Sequence, residues 1–184
     1  MQEYTPIMVL PVDFQQNWKA TLQSATPTAD DSSGVGGVFR LVNIRRTQPK
    51  TFEEQRLIVL VIDENGFPLP NIKVAFSFST ANQYLVSSDF KWAPPQPFRA
   101  DVVATTGGGQ IEHVQGSIIK EGQPGGITVY IVEPKYSSDV VTGMGMLADH
   151  TGVHLTFQLK RNGVQSINDR FAAIEARLAA LEGT

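Results

Sequence analysis

The chain has 184 residues, 41% apolar and 18% charged, with 15 basic and 18 acidic side chains and a formal net charge of −3. Such a composition buries a core, which excludes a disordered chain or a fibre, and the length fits one domain with extensions or two small domains. Without a single Cys, the chain cannot be a disulfide scaffold, a thiol enzyme or a Cys-ligated zinc or iron–sulfur protein, and its charge balance offers no basic face for nucleic acid.

Residues 1–36 read as an amino-terminal arm and linker. Met1 to Tyr4 carries no basic residue, and Ile7-Met8-Val9-Leu10 is an apolar run of four between Pro6 and Pro11. That run is neither a secretory signal nor a membrane span, and no later run approaches the ~18–20 apolar residues of a spanning helix, so no membrane partner is expected. Four apolar residues between prolines fit an edge strand, or a strand laid in a groove of a neighbouring subunit. Trp18 follows, and then Ser24 to Gly37, which is a linker by its Thr, Ser, Asp and Gly content.

Residues 37–161 read as strands throughout. Val38 to Arg45 is the first. Leu57 to Ile62 is a continuous apolar run, the pattern of a strand buried on both faces. Asp63-Glu64-Asn65-Gly66 is a turn with Asn-Gly at its centre. Ile72, Val74, Phe76 and Phe78 then alternate with Lys73, Ala75 and Ser77, the period of a strand with one buried face. Further strands are read at Phe98 to Thr105, Ile111 to Ile119 and Ile127 to Val132, the last entered through Gly125-Gly126. A final strand alternates Val153, Leu155, Phe157 and Leu159 with polar neighbours. Seven or eight short strands with turns between them and no long helix predict an antiparallel β-sandwich, immunoglobulin-like or jelly-roll-like, rather than a parallel βαβ sheet.

Residues 164–182 change period. Val164, Ile167, Phe171, Ile174, Leu178 and Leu181 are spaced 3, 4, 3, 4, 3, with Val164, Phe171 and Leu178 at heptad position a and Ile167, Ile174 and Leu181 at d. Ser166 can cap the helix, Asp169 lies in its first turn, and five alanines between 172 and 180 favour it. Arg170 and Arg177 fall at g, and Glu175 and Glu182 at e. In a parallel coil Arg170 faces Glu175 of a neighbouring chain and Arg177 faces Glu182, and Ile at d with Leu at a moves the preference from dimers toward trimers and tetramers, of which the parallel trimer is the expectation. The competing reading is an amphipathic helix packed on its own sheet, which usually shows a wider apolar stripe. Each buried seam residue is worth ~1.5–3 kcal/mol, against ~1–2 kcal/mol to order each backbone unit. The coil therefore needs help from the strands or the arm to hold a trimer.

The segment from Asp63 to Phe76, D-E-N-G-F-P-L-P-N-I-K-V-A-F, resembles a turn-and-strand pattern of immunoglobulin-like sandwiches in bacterial and phage surface proteins. Ser138-Asp139-Val140-Val141-Thr142-Gly143-Met144-Gly145-Met146 is similar to a segment of sandwich modules appended to wall-lytic enzymes. The resemblance spans about residues 37–161. It implies a sandwich fold and, for the appended modules, glycan binding. The layout of arm, sandwich and coil is similar to that of trimeric virion accessory proteins.

Chemistry is sparse. His150 and His154 are four apart beside Asp149, but in a turn followed by a strand they do not form a zinc pair, and no H-E-x-x-H exists. Ser138, His150 and Asp139 could be drawn as a triad, without a G-x-S-x-G elbow to support it. Asp63, Glu64 and Asn65 could offer oxygens to calcium, which the Asn-Gly turn already explains. Neither Gly-rich stretch, at 34–37 or at 107–109, is a phosphate loop. The aromatic, Pro-rich loop around Phe90, Trp92 and Phe98, with Tyr84 and Tyr136, could stack on sugar rings, or could plug one end of the sandwich or a subunit contact. These readings lead to an expected non-enzymatic homotrimer without metal or cofactor. It is expected on a virion-like particle as a capsid decoration or fibre component, contacting neighbouring capsid or tail subunits through the arm. The alternative is a secreted or cell-surface carbohydrate-binding module.

Overall fold

A computed structural model describes residues 8–30, 36–47, 56–78, 99–114, 119, 124–145, 147 and 149–162. Among them one short helix, α1 (Val12–Asn17), precedes ten strands: β1 (Thr21–Gln23), β2 (Gly37–Arg46), β3 (Arg56–Ile62), β4 (Lys73–Phe78), β5 (Arg99–Ala104), β6 (Gln110–Val114), β7 (Gly125–Val132), β8 (Ser137–Ser138), β9 (Val140–Gly143) and β10 (Val153–Arg161). The strands form two five-stranded sheets, in the orders β1-β9-β7-β4-β5 (sheet A) and β6-β3-β10-β2-β8 (sheet B). Alternate residues of both sheets meet in one apolar core. Val74, Phe76, Ile127 and Val129 come from sheet A, and Phe39, Leu57, Val59, Leu155 and Phe157 from sheet B. The architecture is mainly β and sandwich-like.

Two expectations are corrected. Sheet B is mixed, because β10 pairs antiparallel with β2 but parallel with β3, and β8 pairs parallel with β2. The reason is geometric: β2 and β3 run in opposite directions, so a strand inserted between them must be parallel to one of them. The second concerns the arm. Met8 to Leu10 takes part in no strand, and Leu10, Phe14, Trp18 and Ala20 belong to the main core. β1 pairs with β9 inside the stretch read as arm and linker.

Trp18 explains this docking. It is 0% exposed, stacks on Phe14 at 4.7 Å, and donates its indole N–H to the Gly145 carbonyl at 3.0 Å. Arg46 lies 5.0 Å above the indole ring and forms a fork with Asp13 of α1. The chain turns away from Trp18 through Lys19, held in the left-handed region at φ 48°. It passes so close to Gly143 (φ 81°) that a Cβ there would lie 2.9–3.0 Å from Trp18, Lys19 and Ala20 backbone atoms. Glycine is the residue that tolerates both the conformation and the approach.

The Asp63 turn forms as its letters predict. Asp63 Oδ1 accepts the amides of Asn65 and Phe67, and the Asp63 amide donates to the Phe67 carbonyl. Side-chain capping of this kind closes an Asx turn without an ion. Phe67 stands out from it, 64% exposed.

Candidate functional site

The face of sheet B turned away from the core is built by register. Arg45 of β2, His154 of β10, Ile58 of β3 and Glu112 of β6 lie side by side across four strands. The next row is Asn43, Thr156, Leu60 and Gln110, and a third begins with Arg40, Gln158 and Ile62. Neighbours in a row are about 5 Å apart and rows about 7 Å apart. The result is a flat field with two aliphatic side chains in the middle and hydrogen-bonding groups on both flanks.

A β-bulge creates this field. Thr156 pairs with Asn43 and Phe157 with Leu41, which leaves Val42 as the extra residue of β2. Before the bulge Phe39 and Leu41 point to the core; after it Ile44 does, so Asn43 and Arg45 point outward. Unbroken alternation from Phe39 would have aimed Asn43 and Arg45 into the core. Bulges re-aim side chains in this way. The signal in the sequence is the three-residue step from Leu41 to Ile44, where a strand steps by two.

Arg45 Nε donates to His154 Nδ1 at 3.1 Å. An accepting Nδ1 places the imidazole proton on Nε2 and requires a neutral ring. Burial first, and the adjacent Arg45 charge second, hold the His154 pKa below its ordinary value. Among the described residues no carboxylate pairs with Arg45 or with Lys160 further along β10, whereas Arg56 is neutralised by Glu112 at 3.2 Å and Arg40 by Asp139 at 2.7 Å. Gln110 Nε2 donates to Glu112 Oε1 at 3.0 Å and orients that carboxylate.

Asp139 is a different kind of charge. It is buried, and it accepts the amides of Ala25 and Leu41 as well as the Arg40 guanidinium, which also donates to the Ala25 carbonyl. This clasp ties the segment before β2 to the β8–β9 junction and is structural. Ser138 is equally engaged: its Oγ accepts from the Ile131 amide and donates to the Asp139 carbonyl. Ser138 is thus spent on the backbone, and Asp139 on two amides and Arg40. His150 sits in the Leu147–Thr151 turn at φ 69°, and its amide donates to the Leu147 carbonyl. Among the described residues no group of three His, Asp or Glu side chains converges as metal ligands, and no helix there is long and apolar enough to cross a membrane.

Of the aromatics singled out in the sequence, Tyr136 is described. It is half-buried and packs edge-on against Phe39, ring centres 5.7 Å apart, so it supports the core. Tyr84, Phe90, Trp92 and Phe98 lie outside the described residues, as do the seam residues Val164, Ile167, Phe171, Ile174, Leu178 and Leu181 and the charges Arg170, Glu175, Arg177 and Glu182. Trp18, not singled out as a plug, fills the core beside α1. Comparisons with protein families, curated proteins and solved structures find no match.

Proposed function

We propose that the chain is a non-enzymatic, homotrimeric structural protein that serves as an accessory subunit of a virion-like particle, as a capsid decoration or fibre component. The observation that carries this reading is the change of period after β10, where alternation gives way to the a/d seam from Val164 to Leu181 with Arg and Glu at g and e. The root of that segment supports it. β10 runs between β2 and β3, Asn162 Nδ2 donates to the Thr28 carbonyl and to Asp30, and Arg161 pairs with Glu64 at 3.3 Å. A helix continuing from such a strand transmits force directly into the core. The finer fold, immunoglobulin-like or jelly-roll-like, belongs to the same proposal.

Light scattering on the full chain tests it: the expected mass is three times 20.1 kDa, and removal of 164–184 lowers the association state. A stable monomer overturns it. The second reading, a carbohydrate-binding module, is favoured by one feature, the field of hydrogen-bonding and aliphatic groups on sheet B.

A further inference from the structure

We infer that the outer face of sheet B binds a carboxylate-bearing saccharide, with Arg45 holding the carboxylate and Ile58 and Leu60 carrying the apolar face of the ring. The inference stands on the described strands and does not depend on the trimer.

Charge comes first. The chain as a whole is at −3, yet this face presents Arg45 and Lys160 without a carboxylate partner among the described residues. The Arg45 Nε is fixed on His154, so the guanidinium is held at its stem, and among the described residues its terminal nitrogens meet no acceptor that would compete with a ligand. A guanidinium presents two parallel donors that match a carboxylate. His154 stays neutral, which keeps it an acceptor for Arg45 and prevents two cations from repelling each other at this point.

The ligand class follows from what the face lacks. Beneath Ile58, Leu60, His154 and Thr156, strands β3 and β10 pair on both sides, whereas β2 is covered by β8 only at Val38 and Phe39, so an extended peptide laid over the aliphatic strip has no edge there to pair with. Recognition must come from side chains alone. Ile58 and Leu60 are half-buried and offer an aliphatic strip, bordered by Gln110 and Glu112 on one side and by Thr156 and His154 on the other, with Asn43 and Arg45 one strand further out. A pyranose ring has one C–H face for the strip and equatorial hydroxyls for the amide and carboxylate flanks, and its acid substituent meets Arg45. The bulge at Val42, which turns Asn43 and Arg45 outward, has the placement of a functional device.

The test titrates the full-length chain with a panel of acidic oligosaccharides (oligogalacturonate, oligoguluronate and oligosialate), with neutral dextran oligosaccharides, and with polyglutamate and polyphosphate. The expected result is salt-sensitive binding of at least one acidic oligosaccharide, weakened tenfold or more by Arg45→Ala and less by Arg45→Lys, at an unchanged melting temperature. Asn43→Ala provides a second, exposed variant that also weakens binding. The inference is overturned if no acidic saccharide binds at millimolar concentration, if neutral sugars bind as tightly, or if polyglutamate or polyphosphate does. It also falls if Arg45→Ala and Asn43→Ala leave affinity unchanged.

Discussion

β3 and β4 read in opposite ways in sequence and in structure. The run from Leu57 to Ile62 has the pattern of a strand buried on both faces, yet its outward residues Ile58, Leu60 and Ile62 are only half-buried. The alternating β4 has the pattern of a strand with one wet face, yet Ala75 and Ser77 are buried between Val74, Phe76 and their neighbours. Across sheet A, Ala75 lies beside Tyr130 of β7 and joins it and Val140 in a second small cluster on the side away from the main core. The middle of sheet A's outer face is thus core-like, although Lys73 and Val102 on the same face are exposed, and the outer face of sheet B is a half-exposed field of mixed chemistry. Small residues sink between large neighbours, whereas Ile and Leu on an open sheet keep part of their surface in water. Hydrophobicity along a strand reports what can be buried; the neighbouring strands decide what is buried.

The strongest way to break the comparison is Asp139→Ala. This removes a buried charge that binds sheet B's edge to the rest, and takes from Arg40 and two amides the carboxylate they donate to. Loss of one partner of a buried pair costs about 3–5 kcal/mol, and in a chain of this size each kcal/mol lowers melting by roughly 2–4 °C. Thermal denaturation should show a drop of roughly ten degrees, and an unchanged transition would mean the clasp is idle. Tyr130→Ala probes sheet A. If its outer face is core, the truncation costs about 3 kcal/mol, in the range for large buried side chains. A change within about 0.5 kcal/mol, the usual scale of surface substitutions, would show the face to be wet.

His154 gives a smaller, pH-dependent effect. Burial and the Arg45 charge hold its folded pKa below 6.5, so the unfolded chain takes up the proton first as pH falls. Stability from this group is complete above about pH 6.5, declines as pH drops from there toward the folded pKa, and then levels. Denaturant titrations of the wild type and His154→Gln should diverge in that acidic window and run parallel above it; parallel curves throughout would contradict the shift. The least effect is expected from Arg45→Ala, whose exposed side chain contributes within about 0.5 kcal/mol. A large destabilisation there would make the sheet B field part of the scaffold.

Much of the strand inventory is legible in the letters. The Asp63 turn, β3, β4, β7 and β10 are found where alternation and Asn-Gly or Gly-Gly punctuation place them. β1, β8 and β9 are too short to show a period, and α1 is six residues with Pro at its entry and no side-chain cap. The Arg45–His154 contact was hidden for another reason: its partners are 109 residues apart, and a bulge shifts the parity that would have located it.

The sequence by itself determined a cysteine-free, mainly β chain whose apolar spacing changes from alternation to steps of three and four after Arg161, because composition and local period are properties of consecutive residues. Tertiary structure alone decided three things. It placed Leu10, Phe14, Trp18 and Ala20 of the arm in the core, since Trp18 finds Gly145 across 127 residues. It made sheet B mixed, since β10 enters between two antiparallel strands. It also decided which apolar positions stay wet. Each depends on contacts between distant segments, which no local pattern of side chains encodes.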